Sequence, residues 1–345
     1  MGGDGKPEAK EGPRVRVKLV QIDGKLPNLA LMQLASWHKA RGDDVVYTRD
    51  TSHDLFEPTY DRVYGSAIFK FSADKIARLR ATYPAAIIGG TGTDNATTVE
   101  DVIGEEWAGR DYAIFPGYRA SLGFTQRGCR LACKFCVVPG KEGKARSVAT
   151  IADIWRGDGH PKQLHLLDND FFGQQEDQWR ARVAEIRDGG FKVCLSQGIN
   201  VRQITPAAAE ALASIEYRDD SFTERRVYTA WDNLKDEAVF FRGVDMLEAA
   251  GIPPKRVMAY MLVGFDKRET WDRLWHRFTR MTERGIEPYP MVFDCRATDP
   301  DRYRELKRFQ RWVVTGLYRA VPFSEYDAGK KSGRGAVCQQ LELLA

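Results

Sequence analysis

The sequence contains no apolar run long enough to cross a membrane, and it has only six cysteines in 345 residues. A membrane-spanning helix needs an apolar run of ~18 residues or more. So few cysteines do not form the dense disulfide framework of small secreted proteins. Residues 1–14 are charged and glycine-rich and lack the apolar segment of a secretory signal. We therefore expect a cytoplasmic protein with no membrane partner, in which clustered cysteines serve metal binding or catalysis.

The sequence also lacks a large excess of positive or negative charge, because 48 Asp and Glu residues nearly balance 52 Lys and Arg residues, which gives a formal charge of +4. This balance does not indicate nucleic-acid binding, and it does not exclude nucleic acid as a partner. The 43% of hydrophobic residues is ample for a core and excludes a chain that is disordered throughout. At ~100–200 residues per domain, the length predicts one large domain or two smaller ones.

The first hundred residues after the tail alternate between strand and helix patterns, which is typical of a small parallel α/β sheet. Strands are predicted over residues 15–22, 44–48, 61–69, 85–88 and 111–115, and helices over residues 28–42 and 74–80. The segments GSAIF and GGTGTD lie at the carboxyl ends of predicted strands, where ligands of parallel sheets usually bind. We predict a flexible tail over residues 1–14 and a Rossmann-like domain over residues 15–117.

A second alternation of strands and helices fills residues 118–320. Its predicted strands are 121–125, 163–167, 192–196, 226–231, 256–263 and 289–293, with helices at 174–188, 207–215, 236–250, 269–283 and 301–318. Six parallel strands with right-handed crossovers predict a partial (β/α)6 barrel of the TIM type. The predicted fold class is therefore α/β, with a Rossmann-like domain, a partial barrel and a C-terminal extension over residues 321–345. The residues from 326 onward are expected to form a loose tail.

Three of the six cysteines lie together, directly after the first strand of the predicted barrel. Cys129, Cys133 and Cys136 have the spacing C-x3-C-x2-C in the segment GFTQRGCRLACKFCVVPGKEGKAR. Three thiolates leave one position open on a [4Fe–4S] cluster, and that iron can bind an amine and a carboxylate. Gly128 allows the loop to fold tightly, and Phe135 offers an apolar edge that shields the cluster. The alternative is zinc with a distant fourth ligand, in a nucleic-acid-binding module.

The other cysteines are far apart in the sequence and contain no C-x-x-C pair. They are Cys194, Cys295 and Cys338. Because an auxiliary cluster needs several neighbouring thiolates, we expect Cys194 and Cys295 to be buried thiols on strands. Cys338 lies in the predicted tail.

The cysteine segment resembles the signature of the radical SAM superfamily, and the resemblance covers roughly residues 121–318. The stretch LHLLDNDFF is similar to the F-x-D-D-x-F element of members that carry an N-terminal cobalamin-type domain. This likeness implies Asp168, Asn169 and Asp170 as partners of the SAM amino group.

Three later segments of the barrel add further residues by the same resemblance. CLSQGINVRQI implies that Ser196, Asn200 and Arg202 face SAM or substrate, and Arg202, Lys144 and Arg146 are candidates for the SAM carboxylate. TAWDN implies that Trp231 and Asp232 lie near the ribose or the substrate. MLVGFDKRETWD is similar to the G-x-I-x-G-x-x-E region, which implies adenine contacts from Val263, Gly264 and Phe265.

The resemblance implies a radical SAM enzyme with two cofactors, an iron–sulfur [4Fe–4S] cluster and S-adenosyl-L-methionine. In this family the reduced cluster splits SAM into methionine and a 5′-deoxyadenosyl radical, which abstracts hydrogen from a substrate C–H bond. A one-electron donor of the flavodoxin or ferredoxin type is implied as a partner. A nucleobase, whether free or in nucleic acid, a peptide and a small metabolite all stay open as substrates.

The segment from Val15 to Gly117 resembles a shortened cobalamin-binding domain. The matching pieces are LPNLALMQLASWHKARGDDVVY, VYGSAIF and IIGGTGTD. The D-x-H-x-x-G motif that supplies the lower axial histidine is missing, and only about ten residues join the last predicted strand to the barrel. A cobalamin-dependent radical SAM methyltransferase is therefore the alternative function. A domain that gates the substrate, without cobalamin, is the competing interpretation.

Overall fold

The computed structural model describes residues 14–54, 56–93 and 97–327. The chain divides into two compact α/β units, the first ending at Tyr118 and the second beginning at Arg119. Among these residues, no helix has both the length and the apolar character that a membrane crossing requires.

Among its described residues, the first unit contains one sheet of four parallel strands. These are β1 (Arg16–Gln21), β2 (Asp44–Thr48), β3 (Arg62–Ser66) and β4 (Ile87–Gly89), in the order β2-β1-β3-β4. Its helices are α1 (Leu29–Ala40), α2 (Ala73–Thr82) and α3 (Val99–Ile103). The side chain of Asn28 caps α1 by accepting from the Leu31 amide, at 3.1 Å. The small parallel α/β sheet predicted for this region is confirmed.

Alternating residues of β1 supply the two hydrophobic layers of this unit. Val17 and Leu19 belong to a cluster with residues of α1 and α3. Val20 belongs to a second cluster that includes Ile76 and Leu79 of α2. Because successive side chains of a strand point to opposite faces, one buried strand connects helices on both sides of the sheet.

The strand predicted over residues 111–115 is wrong, because Tyr112–Ile114 is a short 3-10 helix. The Asp111 side chain accepts a hydrogen bond from the Ala113 amide, at 2.9 Å. Aspartate offers its own backbone this local bond in competition with a sheet ladder. The apolar alternation therefore ends in a turn rather than in a fifth strand.

The second unit contains nine strands and seven helices among its described residues. The strands are β5 (Ser121–Gly123), β6 (Gln126–Arg127), β7 (Arg146–Ser147), β8 (Gln163–Leu166), β9 (Lys192–Cys194), β10 (Glu216–Tyr217), β11 (Val227–Ala230), β12 (Val257–Val263) and β13 (Glu287–Val292). The helices are α4 (Val138–Glu142), α5 (Ile151–Ile154), α6 (Glu176–Asp188), α7 (Pro206–Ala213), α8 (Glu237–Ala249), α9 (Trp271–Glu283) and α10 (Pro300–Val314).

The six predicted strands of this unit are all present and parallel, but they lie in two sheets instead of one. One sheet has the order β10-β9-β8-β5, and the other has the order β11-β12-β13. The unpredicted strand β10 pairs with β9 through Glu216 and Tyr217. It pairs with the edge of β9 to which β11 would pair if the six predicted strands formed one continuous sheet.

Strand β12 shows which face of the second sheet carries the helices. Val257, Ala259, Met261 and Val263 are at most 1% exposed and belong to the main hydrophobic cluster of the unit. The residues between them, Met258, Tyr260 and Leu262, are partly exposed. The helices therefore cover one face, and the opposite face is accessible.

The chain after α10 packs back onto that helix as far as the structure describes it. The indole nitrogen of Trp312 donates to the Val321 carbonyl at 2.7 Å, and Arg308 donates to the Phe323 carbonyl at 2.7 Å. Tyr326 is buried, so the loose tail predicted from residue 326 is wrong at that position. The remainder of that prediction, residues 328–345, lies outside the described residues.

Candidate functional site

The three clustered cysteines lie in a loop whose two ends are joined by a short antiparallel ribbon. Strands β6 and β7 pair through Gln126 with Ser147 and through Arg127 with Arg146. The cysteine loop, defined here as residues 128–145, therefore begins and ends at the same place. It follows β5, so it leaves the sheet at the carboxyl ends of parallel strands, as the sequence predicts.

Gly128 is required at the beginning of this loop. Its φ of +79° is unfavourable for other residues, and a Cβ atom there would stand 2.2 Å from the carbonyl oxygen of Lys144. The next residue, Cys129, donates its amide to the Gly143 carbonyl at 3.2 Å. The close approach of the two ends that we expect from Gly128 is thus observed.

Each of the three thiols accepts an N–H group. Cys129 Sγ accepts from the Leu131 amide at 3.4 Å, and Cys133 Sγ accepts from Arg202 Nη2 at 3.7 Å. Cys136 accepts from a backbone amide as well, that of Val138. Hydrogen bonds of this kind stabilise thiolate sulfur and tune the potential of a bound cluster.

Burial raises the pKa of the Cys129 and Cys136 thiols, and the neighbouring cysteines of the loop act in the same direction. Cys133 is among the groups that oppose the ionisation of both Cys129 and Cys136. Within residues 14–54, 56–93 and 97–327, no three His, Cys, Asp or Glu side chains converge as ligands of a metal ion.

The first aspartate of LHLLDNDFF connects β8 to the start of the cysteine loop. Asp168 accepts from the amide of Thr125 at 2.7 Å and from its hydroxyl group. The residue is 2% exposed, and this burial raises its pKa to about 7, although the bonds from Thr125 and the Gln126 amide oppose the shift. Both oxygens of this predicted SAM-amine partner are therefore engaged within the protein.

The other two residues of this motif hold the loop itself. Asp170 is fully buried and accepts from Arg130 Nε at 2.8 Å and from Nη2 at 3.0 Å, a bidentate pair. Asn169 donates to Glu142 at 2.8 Å. Glu142 also pairs with Arg127 at 2.7 Å, which draws the two sides of the loop together.

Burial opposes ionisation of Glu142, but the hydrogen bonds from Arg127 and from the Gly128 amide lower its pKa. Sequence reasoning missed Thr125, Arg130 and Glu142. Glu142 could have been found from the sequence, because it is the single acidic residue among the cations of the loop.

Ser196 lies after β9 and faces β8 and β12. Its hydroxyl is 2.7 Å from His165 Nε2, and its carbonyl accepts from the Tyr260 hydroxyl at 2.7 Å. Burial lowers the pKa of His165 to about 4, so this imidazole is neutral at pH 7. Ser196 thus belongs to an uncharged polar group between the two sheets.

Asn200 differs from the other predicted residues because its amide group has no partner among the described residues. Both its Nδ2 and its Oδ1 atoms are buried. A buried amide without hydrogen bonds is costly and is often explained by a ligand.

Arg202 and Asp232 bring charge to the neighbourhood of the cysteines. Arg202 Nη1 donates to Asp236 at 2.8 Å while Nη2 reaches Cys133. Asp232 accepts from the Leu262 amide at 2.9 Å, and burial raises its pKa. Its charge acts on the Cys136 thiol.

Two predicted apolar residues from distant segments are in contact. The rings of Phe135 and Phe265 meet edge to face with centroids 5.5 Å apart, and Phe265 continues to Phe293 at 5.1 Å. Val263 is fully buried, and Gly264 has a φ of +86°, with Leu306 2.8 Å from the place of a Cβ atom. The adenine-contact segment of the prediction therefore lies beside the cysteine loop.

The remaining candidates lie in ordinary surroundings. Trp231, expected near the ribose or the substrate, is fully buried and stacks on Phe240 with centroids 5.2 Å apart. Lys144 and Arg146 are exposed. Cys194 is buried, as predicted. Cys295 lies beyond the end of β13 and is only partly buried, so its predicted place on a strand is wrong, whereas Cys338 lies outside the described residues.

No family model matches this chain, and neither a curated protein nor a solved structure does.

Proposed function

We propose that the protein is a radical SAM enzyme in which Cys129, Cys133 and Cys136 hold a [4Fe–4S] cluster. The observation that carries this proposal is the cysteine loop: three thiols at the carboxyl ends of parallel strands, each accepting an N–H group. Three ligands leave one iron of a cubane open, which suits a chelating amino acid. The raised pKa of Cys129 and Cys136 means that cluster binding releases protons.

When bound, the cluster would supply the electron that cleaves SAM to methionine and a 5′-deoxyadenosyl radical. The protein's own residues have separate tasks. The Asp170–Arg130 and Glu142–Arg127 pairs keep the loop rigid. The unpartnered amide of Asn200 is available to SAM or substrate. Phe135 and Phe265 cover an apolar edge beside the cysteines, where they exclude water.

The two sheets of the second unit are proposed as the halves of one partial barrel. Three contacts cross the gap between them and support this arrangement. The Ile199 amide donates to the Tyr228 carbonyl at 2.8 Å, Thr229 Oγ1 donates to the Ile199 carbonyl at 3.0 Å, and Tyr260 reaches Ser196. In such a barrel the accessible face of β12 would line the substrate space.

The test is anaerobic reconstitution with iron and sulfide, followed by reduction with dithionite in the presence of SAM. We expect absorbance near ~400 nm, the electron paramagnetic resonance signal of a reduced cluster, and 5′-deoxyadenosine as a product. Cys133→Ala should lose the product, whereas Cys194→Ala, a buried cysteine on β9, should keep it. Zinc in place of iron in the metal analysis, or equal product from wild type and Cys133→Ala, would overturn the proposal.

A cobalamin-dependent methyltransferase is the second candidate, and one feature of the first unit favours it. At the carboxyl ends of its strands, Phe69 and Phe71 stack with ring centroids 5.0 Å apart, and Phe71 is 53% exposed. A Cβ atom on Gly92 would collide with the backbone of Phe69, and one on Gly90 would collide with the backbone of Ala67. The result is a flat apolar edge at the usual ligand position of a parallel sheet.

The histidines of this unit do not add a cobalt ligand to that edge. His38 is buried between Asp43 at 2.6 Å and the Tyr64 hydroxyl at 3.2 Å, while His53 packs on Tyr83. The second candidate therefore requires that cobalamin binds without a protein histidine as the lower axial ligand of its cobalt. Incubation with hydroxocobalamin should leave a corrinoid absorption band after gel filtration, and S-adenosylhomocysteine should form. A protein that retains no corrinoid contradicts this candidate but leaves the first one intact.

A further inference from the structure

The segment EYRDDSFTERR, residues 216–226, connects the two sheets of the second unit. Its first two residues form β10, at the edge of one sheet, and Val227 then begins β11, at the edge of the other. We call residues 218–226 the β10–β11 loop. It contacts strands of both sheets, because Phe222 meets His165 of β8 and the Asp220 amide bonds to Tyr228 of β11.

The side chain of Asp219 fixes the shape of the β10–β11 loop. It accepts from the amide of Thr223 at 2.8 Å and from that of Glu224 at 3.0 Å. Phe222 takes a φ of +61°, which is unfavourable for a bulky side chain, and its ring is buried against that of His165, with centroids 6.3 Å apart. A loop that is held in this way presents its other side chains in fixed positions.

Asp220, the next residue of the loop, forms no ion pair with the described residues. The three arginines of the loop bond to glutamates instead: Arg218 and Arg225 to Glu216, and Arg226 to Glu224 and Glu287. Burial and the charge of Asp219 raise the pKa of Asp220, although backbone amides and Arg226 oppose the shift. An ionised Asp220 therefore lacks a positive charge of its own.

Three tyrosine rings lie beside Asp220, one from each strand of the sheet β11-β12-β13. Tyr228 and Tyr260 stack with ring centroids 6.1 Å apart, and Tyr260 and Tyr289 meet edge to face at 5.7 Å. The Tyr228 hydroxyl accepts from the Asp220 amide at 3.3 Å. Burial raises the pKa of all three phenols, and the charge of Asp220 acts in the same direction on each. The carboxylate is therefore close to all three rings.

Two other titratable side chains near these rings are uncharged at pH 7. Burial lowers the pKa of His165 to about 4. Burial also raises the pKa of the Cys194 thiol well above its usual value, and the charge of Asp220 acts in the same direction. Tyr260 is partly exposed on the accessible face of β12. A carboxylate beside aromatic rings attracts organic cations, because the face of each ring is negatively polarised.

We propose that Asp220 and the ring of Tyr260, flanked by Tyr228 and Tyr289, bind the positively charged end of the substrate, an organic ammonium group. This inference rests on the proposed function, in which the accessible face of β12 lines the substrate space. The carboxylate supplies the opposite charge, and the rings supply a wall that also accepts methyl groups on the nitrogen. Asp219 and Asp220 would repel a phosphate, so the site favours a small amine over a nucleic acid.

The experiment measures the binding of choline to the full-length protein by isothermal titration calorimetry. The parallel titration uses 3,3-dimethylbutan-1-ol, which has the shape of choline without its charge. We expect choline to bind with a Kd of about 1 mM and the neutral alcohol at least about tenfold more weakly. Equal binding of the two compounds would overturn the proposal, because it would show that the site does not recognise charge.

Asp220→Asn keeps the shape of the side chain and removes its charge, so choline binding should weaken about tenfold. Glu224→Gln is the matched control, because it removes the same charge from an exposed residue of the same loop. This control should bind choline like the wild type. Wild-type affinity in Asp220→Asn, or equal weakening in both variants, would overturn the proposal.

Two variants of Tyr260 test the ring. Tyr260→Phe keeps the ring and loses only the hydroxyl, which donates to the Ser196 carbonyl at 2.7 Å, whereas Tyr260→Leu removes the ring. Choline binding should persist in the first variant and be lost in the second. Equal binding by both would contradict the role of the ring. Circular dichroism checks that each variant is folded, and if Tyr260→Leu is not, the Asp220→Asn titration still decides.

These titrations need no cluster, so their outcome is separate from that of the proposed function. If choline binds as expected and no 5′-deoxyadenosine forms with SAM, the proposed function fails and the cation site stands. If 5′-deoxyadenosine forms and choline binds no better than its neutral analogue, the cation site is overturned and the proposed function stands.

Discussion

Both units bury charged side chains, which bond to each other in the first unit and to a loop in the second. In the first unit Lys18 is 1% exposed in the middle of β1, and its ammonium donates to Glu57 at 2.7 Å and to the Tyr83 hydroxyl at 2.9 Å. In the second unit the buried carboxylates Asp168 and Asp170 fasten a loop that contains three thiols. The first network bonds only within itself, and the second holds the three cysteines of the loop in position.

This comparison indicates which buried groups lower the stability of the folded protein. The Lys18 network satisfies its charges locally, which identifies it as a structural element of the first unit. The second unit contains buried groups in unfavourable states: the Asn200 amide has no partner among the described residues, and burial raises the pKa of Asp168. Unfavourable buried groups that gather at the carboxyl ends of strands are typical of functional sites.

The largest expected effect concerns Asp168. A carboxyl with a pKa of about 7 in the folded state binds a proton there that the unfolded chain has released above about pH 4. The contribution of Asp168 to the free energy of unfolding should therefore be greatest below about pH 4, fall as the pH rises to 7, and stay level above that. The wild type should lose about 4 kcal/mol over this range relative to Asp168→Asn in denaturant titrations.

The control for this titration is Asp158→Asn, at an exposed aspartate of the same unit. It makes the same substitution without touching the buried carboxyl. A pH-independent difference for Asp168→Asn would show that the carboxyl is ionised in the folded protein, and the contrast between the two buried networks would disappear.

The second effect tests whether the first network is structural only. Lys18→Met leaves Glu57 and Tyr83 without their ammonium partner, and we expect a loss of about 3 kcal/mol in urea unfolding. Lys18→Met/Glu57→Leu should recover part of that loss, because both charges are removed together. The absorbance of the reconstituted cluster should be the same in all three proteins. Loss of the cluster in Lys18→Met would contradict a purely structural role for the Lys18 network.

The third effect sharpens the significance of Asn200. Asn200→Leu removes two buried polar atoms without partners, so the protein without SAM should become about 1 kcal/mol more stable. If the amide serves SAM, affinity in equilibrium dialysis should fall about tenfold, or ~1.4 kcal/mol. Gln203→Leu, at an exposed residue of the same turn, should change neither quantity. A destabilised Asn200→Leu protein with wild-type affinity for SAM would contradict this role.

The smallest effect concerns the bond from Arg202 to Cys133. Arg202→Gln removes a positive charge 3.7 Å from the sulfur, which should lower the reduction potential of the cluster measured without SAM. We expect a shift below about 59 mV, less than tenfold in the one-electron equilibrium. Arg242→Gln, at an exposed arginine of α8, is the matched control. An unchanged potential in Arg202→Gln would mean that this arginine acts on SAM alone.

Local patterns in the sequence were sufficient for most elements of the fold. Alternating apolar residues located β1 and β2, and Asn28 and Gly42 marked the ends of α1. The pattern failed where a short-range bond competed with it, as at Asp111, or where an element was too short to have a period, as in β6, β7 and β10. The division of the barrel strands into two sheets depends on pairing across long distances, which periodicity does not report.

The sequence by itself determined the three cysteines, their place after a strand, and the glycine that lets their loop fold back, because spacing and backbone freedom are local properties. The tertiary structure decided which side chains hold the segment around those cysteines and which one reaches a cysteine. Thr125 meets Asp168, Arg130 meets Asp170, and Arg202 meets Cys133, over separations of 40 or more residues. Burial and packing set the protonation of these side chains, and both depend on residues that are far apart in the sequence.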